Sequence, residues 1–318
     1  MPDQRGVLRE GFRRVWHYQR IVWWMFFVNL LLALLGAWPL VGRMHEVTDH
    51  SLRALRLVDM FDVGDFSALS SNPEAHIFAG QGASLHYGFV FFFFALFLTG
   101  GMLEAYRAGR KLNTREFFEA CGSYFWRWVR LLILMAIVLA PVLVLAGAIL
   151  GKTPDWLILS GASEEKAGFA KLVGGLGVVG LLLMCIRLWF DMAQVRAVVE
   201  EETGMWRNAG RAFKLTFGNF GSLFWMYLRI SVLGWLVLAA GFYLWSKMPP
   251  TRFGWTFLIL ELVVLLGFGV RLWQRASEMV WYQRCVLAAA TPPVPVTPTP
   301  APDPLLTIAP TAPPSTSA

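Results

Sequence analysis

The stretch REGFRRVWHYQRIVWWMFFVNLLLALLGAWPLV, residues 9–41, joins a basic, aromatic-rich segment to a long apolar run. A helix needs roughly twenty apolar residues to cross about 30 Å of hydrocarbon. Comparable runs recur along the chain, which predicts an all-α integral membrane protein with six transmembrane helices. The predicted spans lie near residues 21–42, 85–105, 130–151, 168–189, 222–246 and 253–273.

The composition supports a membrane protein, since 56% of the 318 residues are apolar and only 15% are charged. Soluble domains carry about 25% charged residues. With the N-terminus inside, 19 of the 28 Lys and Arg residues fall on the cytosolic side, eight fall outside and Arg229 lies within a span. This positive-inside bias predicts that both termini are cytosolic, and it accounts for the net charge of +7 without a nucleic-acid partner.

The approaches to the first, third and fifth spans share a basic, aromatic-rich amphipathic pattern. They can be aligned as REGFRRVWHYQRIVWW from Arg9, REFFEACGSYFWRWVRLL from Arg115 and RAFKLTFGNFGSLFWMYL from Arg211. Phe12, Phe118 and Phe213 then correspond, at offsets of 106 and 95 residues. We interpret this internal repeat as three units, each an interfacial helix, a turn and a transmembrane hairpin. The alternative is that these helices face solvent and pack on the bundle.

Domain boundaries follow from the remaining segments. Residues 1–290 form the predicted six-span membrane domain, with one sizeable outside loop at residues 43–84. Residues 291–318 hold ten prolines and a single charged residue, Asp303. Such a composition cannot form a packed core, so it predicts a disordered, proline-rich cytosolic tail.

The sequence predicts no catalytic, cofactor or metal site, and therefore a protein that is not an enzyme. Gly175, Gly177 and Gly180 match the G-x-G-x-x-G pattern of dinucleotide-binding proteins, but they lie inside the fourth span. That pattern needs a preceding strand and a βαβ unit, which a membrane span cannot supply. Close packing of helices through small residues explains these glycines better.

Charged residues within the spans are the candidate functional site, because a charge at mid-membrane costs about 3 kcal/mol unless it is paired or hydrated. Arg229 and Glu261 are predicted to form an ion pair between the fifth and sixth spans. A second cluster lies at the inner boundary of the spans. Its members are Glu104, Arg107, Arg127, Arg130, Arg187 and Asp191. Local pairs on one helix would explain this cluster structurally, and a polar cavity or lipid-headgroup site is the functional alternative.

Two segments carry a resemblance to a known group. Val198–Gly204 with the following RNAGRAFKLTFGNFGSLFW, and the segment GGMLEAYRAGRKLNTREFFEACGSYFWRWVRLL, resemble an uncharacterised bacterial multi-pass membrane superfamily. That superfamily includes YciC-like proteins and the membrane domain of some glycerophosphodiester phosphodiesterases. The resemblance covers roughly residues 1–290 and implies a six-helix membrane module without established catalysis, in a bacterial cytoplasmic (inner) membrane. This chain shows no soluble phosphodiesterase domain, so that activity is not carried over.

The sequence therefore leads to two functional expectations. The first is a non-enzymatic membrane protein that organises or handles membrane lipid or scaffolds a partner. Its partners would be anionic lipids of the cytosolic leaflet, or a protein partner or second copy in a homo-oligomer. The alternative is a small-solute or lipid transporter with a polar path near Arg229 and Glu261.

Overall fold

The computed structural model describes residues 4–48, 81–151, 164–248 and 252–287. This part of the chain consists of α1 (Gln4–His17), α2 (Gln19–Thr48), α3 (Gln81–Ala108), α4 (Thr114–Gly151), α5 (Glu164–Val199), α6 (Met205–Gly218), α7 (Phe220–Ser246) and α8 (Phe253–Tyr282), followed by a π-helical turn, Gln283–Leu287. Six helices, namely α2–α5, α7 and α8, are long and apolar enough to cross a membrane. The predicted fold class, an all-α multi-pass membrane protein, is confirmed.

Most of the predicted outside loop and the whole proline-rich tail lie outside the described residues. The long helices pack as three hairpins, α2 with α3, α4 with α5 and α7 with α8. Glycines set the register of the last hairpin, because Gly241 lies directly against Val263 and Gly234 lies against Val270. Both pairs fit one antiparallel register, so α7 and α8 approach closely along their length.

The packed core lies at one end of the bundle. This end holds α1, residues 114–128 of α4, and α6; we call these three segments the elbows and this end the elbow end. The largest fully buried side chains, such as Trp128, Tyr106 and Tyr282, lie here. Towards the opposite end the helices expose large apolar side chains, among them Trp38, Val144, Phe242 and Leu258. Lipid chains are as apolar as these side chains, so surfaces of this kind need no protein cover in a membrane.

The helix α8 extends well beyond its predicted span. Hydropathy ends the sixth span at residue 273, whereas the helix continues to Tyr282 and residues 274–282 are all buried. The predicted span ends early because Gln274, Arg275 and Glu278 are polar and lower the hydropathy of this part of the helix. These side chains are nevertheless inside the protein, since residues 274–282 are buried and α8 contacts α1, α2, α3, α5 and α7.

The second of the three units departs from the predicted order of interfacial helix, turn and transmembrane hairpin. α1 and α6 are separate helices, and short turns at Tyr18 and Asn219 lead from them into α2 and α7. The second elbow instead continues without a break into its span, because α4 is one helix of 38 residues, Thr114–Gly151. The prediction of a turn there is wrong. Residues 124–130, YFWRWVR, offer no glycine, proline or asparagine at which the helix could end.

The elbows bury one face and expose another. On α1, Val7, Gly11 and Val15 are buried, whereas Phe12 is 50% and Trp16 is 68% exposed. The predicted apolar stripe is therefore divided between packing on the bundle and an outward aromatic edge. The inward side of α1 packs on the bundle, and its outward aromatic side fits either alternative drawn from the sequence.

Each elbow packs on the long helix that precedes it, and α1 packs on α8. The α1–α8 contact brings the two ends of the described chain together. Trp273 Nε1 donates a hydrogen bond to the carbonyl oxygen of Leu8 at 2.8 Å, and Glu10 forms ion pairs with Arg14 and Arg284. Partial burial disfavours the charged form of Glu10, but the two arginines outweigh it and lower the pKa of this carboxyl below its usual value.

The junction between α3 and α4 predicts a specific effect of substitution at Gly101. A Cβ atom at Gly101 would lie 2.7 Å from the carbonyl oxygen of Phe117 and 2.6 Å from Cys121 Sγ. Because that backbone oxygen cannot move alone, we expect Gly101→Ala to reduce the free energy of unfolding by about 1–3 kcal/mol. Thermal unfolding in detergent measures the loss.

Gly122 provides the matched control, since a Cβ atom there has nothing within 4 Å and lies in a helix. Gly122→Ala should leave stability unchanged or raise it by up to about 1 kcal/mol, because alanine is the better helix former. Equal melting temperatures for the two variants would contradict the close α3–α4 contact.

Candidate functional site

Three helices form the inner part of the bundle. These are α3, α5 and α8, the second helix of each hairpin, which we call the return helices; each of them contacts the other two. A cavity of about 460 Å³ lies between them, and α2 and α4 complete its wall. Pockets for small ligands commonly measure about 300–1,000 Å³.

The same ring contact recurs where each return helix meets its elbow. The ring pairs, at centroid distances of 6.3, 5.0 and 5.5 Å, are Phe97 with Phe118, Trp189 with Phe213 and Trp273 with Phe12. The two indoles also donate matching hydrogen bonds of 2.8 Å, Trp189 Nε1 to the carbonyl oxygen of Ala209 and Trp273 Nε1 to that of Leu8. These three rings therefore supply a common reference point on the return helices.

One small buried residue lies four positions after each of these rings, at the point where the return helix and the elbow cross. These residues are Gly101, Ala193 and Ser277. The carbonyl oxygen of Ala193 accepts a hydrogen bond from Asn208 Nδ2 at 2.7 Å. A Cβ atom at Gly11 would lie 2.9 Å from Ser277 Cα, so the α1–α8 crossing is equally close.

The residues two positions before and two positions after each ring all line the cavity. The first layer is Ala95, Arg187 and Arg271, and the second layer is Thr99, Asp191 and Arg275. In both layers, the residue from α3 is uncharged, whereas the residues from α5 and α8 are charged. The cavity is therefore charged along α5 and α8 and uncharged along α3.

Ion pairs organise the charged end of the cavity, which we call the floor. Arg275 Nη2 lies 2.8 Å from Asp191 Oδ1, and Arg187 Nε lies 3.8 Å from Asp191 Oδ2. Beneath the floor, Arg275 Nη1 lies 3.9 Å from Glu278 Oε2, and Gln274 Nε2 donates to Glu278 Oε1 at 3.2 Å. Asp191, Arg275 and Glu278 are buried, with 4%, 8% and 0% of their surface exposed.

Several polar atoms in the floor and directly beneath it have no hydrogen-bond partner among the described residues. These atoms are Asp191 Oδ2, Gln194 Oε1, Arg275 Nη1 and Glu278 Oε2. Arg271 likewise has no hydrogen bond or ion pair within the described part of the chain, and it is exposed towards the cavity. Buried polar groups normally find partners. The carboxylate and amide oxygens in this set are acceptors, so the donors open to an anionic ligand are those of the arginines, Arg271 above all.

The remainder of the cavity wall is apolar. Phe91, Leu139, Leu183 and Phe268 line it on the side away from the elbow end. Along α3 the lining runs from Phe91 to Met102, which corresponds to about 16 Å of helix. Below the floor the bundle is closed by buried side chains, including Leu103, Tyr106, Met279 and Tyr282.

The structure brings two of the predicted site residues into this cavity, Arg187 and Asp191. Their predicted local pair is present, as is the pair between Glu104 and Arg107 at 2.9 Å. Glu104 lies outside the cavity, where Arg107 also binds Glu201 at 2.9 Å. Arg130 is exposed on α4 and does not line the cavity. Of the predicted inner cluster, only the α5 pair therefore belongs to the site.

The predicted ion pair between Arg229 and Glu261 is absent from the described residues. Arg229 stacks over the ring of Trp225 at 5.7 Å, and Glu261 Oε2 has no hydrogen-bond partner there. The glycine contacts of α7 and α8 explain the error, since they put Arg229 opposite residue 275. Glu261 lies 14 positions from residue 275, or about 21 Å along α8. The prediction takes the membrane depth of each residue from the predicted spans, and α8 is longer than its predicted span.

Sequence reasoning missed Arg271, Arg275 and Glu278 as site residues. Their position at the inner end of the sixth predicted span had assigned Arg271 and Arg275 to the cytosolic side. One signal was present: Arg271 and Arg275 share the i,i+4 spacing of Arg187 and Asp191, which puts each pair on one helix face. Comparison with family models, with curated proteins and with solved structures finds no match to this chain.

The buried ion pair predicts a large cost for removing the charge of Asp191. Asp191→Asn leaves Arg275 and Arg187 without their shared carboxylate, and breaking such a buried pair costs about 3–5 kcal/mol. Unfolding in detergent by denaturant or heat measures this loss.

Glu201→Gln makes the same chemical change in a pair whose carboxylate side chain is 67% exposed. Surface pairs contribute about 0–1 kcal/mol, so this control should lose little stability. If both variants unfold alike, the floor is not a buried ion-pair network.

Proposed function

We propose that this protein is a non-enzymatic membrane module that binds an anionic membrane lipid in the cavity between the return helices. The headgroup would occupy the charged floor and the lipid chain would follow the apolar wall. The observation that carries this proposal is the division of one cavity into an end with Arg187, Arg271 and Arg275 and an apolar remainder. Arginine binds phosphate and carboxylate through paired hydrogen bonds, and apolar walls suit an acyl chain.

The depth of the floor agrees with a lipid headgroup. Asp191 and Arg275 precede the crossing residues Ala193 and Ser277 by two positions, or about 3 Å along the helix. The floor is therefore nearly level with the elbows. A lipid whose headgroup lies at that level would direct its chain towards the middle of the membrane, as the other lipids of the same leaflet do.

The elbows are suited to lie in the headgroup layer. Their exposed side chains combine aromatic rings, such as Trp16, Trp206 and Phe213, with exposed arginines such as Arg13 and Arg207. Amphipathic helices with this composition bind the interface and attract anionic lipid. The leaflet at the elbow end is then the cytosolic one in an inner membrane, with both termini cytosolic. Without the three cavity arginines, 16 basic residues remain on that side against eight on the other, counted from the sequence.

The three-unit organisation forms part of this proposal. Three elbow contacts with matching rings and matching small residues support an internal repeat, in which each return helix supplies one residue to each of the two layers of the cavity. A repeated unit places equivalent residues around one axis. If the three units acquired different residues at the two cavity-lining layers, the site would be neutral on α3 and charged on α5 and α8, as it is.

The transporter alternative has weaker support. Its predicted path used Arg229 and Glu261, and neither residue lines the cavity. The floor is also closed towards the elbow end by buried side chains such as Tyr106 and Tyr282. A site that holds a lipid headgroup without a route past it fits binding or presentation of lipid better than transport of a solute.

Lipid retention by an Arg271 variant tests the proposal. Native mass spectrometry of protein extracted gently from its own membrane should detect one bound anionic lipid per chain. Arg271→Gln removes a guanidinium that makes no hydrogen bond or ion pair with the described residues, and we expect retention to fall about 10- to 100-fold. That range corresponds to the loss of a charge-assisted hydrogen bond, roughly 1.5–3 kcal/mol.

Arg130→Gln is the matched control, because Arg130 is exposed on a spanning helix but does not line the cavity. This variant should retain lipid as the unmodified protein does. A bare chain, or equal losses in the two variants, would refute lipid binding in the cavity. A bare chain that carries a stoichiometric protein instead would favour the scaffold alternative.

A further inference from the structure

The floor carries more hydrogen-bond donors than the protein uses. Arg275 is paired with Asp191 on one side and faces Glu278 on the other. Arg187 approaches Asp191 only through Nε, at 3.8 Å, which leaves its two terminal nitrogens without an ion pair among the described residues. Arg271 contributes a complete guanidinium, with five N–H donors. Two guanidinium groups are therefore available to one ligand.

The charge that faces the cavity is also unbalanced. Among the described residues, the lining contains Arg187, Arg271 and Arg275 but only one carboxylate, that of Asp191. Glu278 is fully buried behind Arg275 and hydrogen-bonded to Gln274, so it does not face the ligand space. A ligand group with more than one negative charge and three acceptor oxygens would match these donors. A phosphate monoester has both properties, with a charge of about −1.5 to −2 at neutral pH.

The shape of the floor gives an independent constraint. Met102, Gln194 and Arg275 line the cavity at its closed end, and Leu103, Tyr106 and Met279 lie buried beyond it. In a phosphodiester lipid the phosphate stands between the lipid chain and a further alcohol group. That alcohol group would have to extend past the floor, where the packed core leaves no space for it. A lipid that ends in its phosphate meets no such obstacle.

We propose that the cavity selects a lipid whose headgroup is a terminal phosphate monoester, held by Arg187 and Arg271 over the Asp191–Arg275 pair. This inference rests on the proposed lipid-binding function and names the ligand class of the same site. The neutral residues Ala95 and Thr99 of α3 line the cavity at the same two layers as these charges.

Binding of three probes to the purified full chain tests the selection. The probes are phosphatidate, phosphatidylglycerol with the same acyl chains, and inorganic phosphate, each titrated in detergent and followed by thermal stabilisation or native mass spectrometry. We expect phosphatidate to bind about tenfold or more tightly than phosphatidylglycerol, since loss of a charge-assisted hydrogen bond changes affinity by that order. Inorganic phosphate should bind far more weakly, because it cannot use the apolar wall.

Two variants separate the electrostatic and the steric reasons. Arg271→Gln should reduce the preference for phosphatidate to about twofold or less, whereas Arg130→Gln should preserve it. Met102→Ala removes a side chain from the closed end and should improve binding of phosphatidylglycerol more than that of phosphatidate. If Met102→Ala instead left the ratio unchanged, the steric reason would be wrong.

The outcomes distinguish this inference from the broader proposal. Equal affinity for the two lipids, with both weakened by Arg271→Gln, would overturn the selection of a monoester and leave lipid binding in place. Equal affinity for phosphatidate and inorganic phosphate would show a site for free anions and overturn the lipid class. Failure of every probe to bind would refute the lipid-binding function itself.

Discussion

The ion pair between Asp191 and Arg275, 2.8 Å apart and buried in an apolar helix bundle, is the constraint on which the rest of the structure depends. Moving ions from water into a protein interior costs several kcal/mol each unless their partners are well placed. Here the partners are Arg187 above the pair and Glu278 and Gln274 beneath it. Keeping these groups together requires that α5 and α8 meet at one level and that α8 continue beyond its apolar run.

The elbows provide that alignment. Each elbow crosses its return helix at a small residue and contacts an aromatic ring one turn earlier, so all three return helices are held at the same height. The packed core and the contacts between elbows and return helices lie at the elbow end. The cavity is therefore closed at that end, and its wall is apolar towards the opposite end. The opposite halves of the helices have little packing of their own and present apolar surface, which suits contact with lipid. Protein packing thus creates the floor, and the membrane completes the structure.

The sequence predicted what hydropathy and helical periodicity can report. Six spans, the amphipathic elbows and the local pair of Arg187 and Asp191 follow from runs of apolar residues and from i,i+4 spacing. Hydropathy failed at the end of α8, where polar residues are buried against other helices and therefore look like a cytosolic flank. The Arg229–Glu261 prediction failed for a related reason, since depth counted from the ends of apolar runs carries no information on the register of two helices. That register depends on the contacts of Gly234 and Gly241 with the neighbouring helix, which are visible only in the folded structure. Arg271 and Arg275 became site residues only once the three return helices were brought around one axis.

The most direct test of this account is a high-resolution cryo-EM map of the full chain in nanodiscs made from its own membrane. The account predicts elongated density in the cavity, with its head within hydrogen-bond distance of Arg187 and Arg271 and its chain along Phe91, Leu183 and Phe268. Density that contains only separate waters between the arginines, or a lipid bound near Arg229 and Glu261 instead, would contradict it.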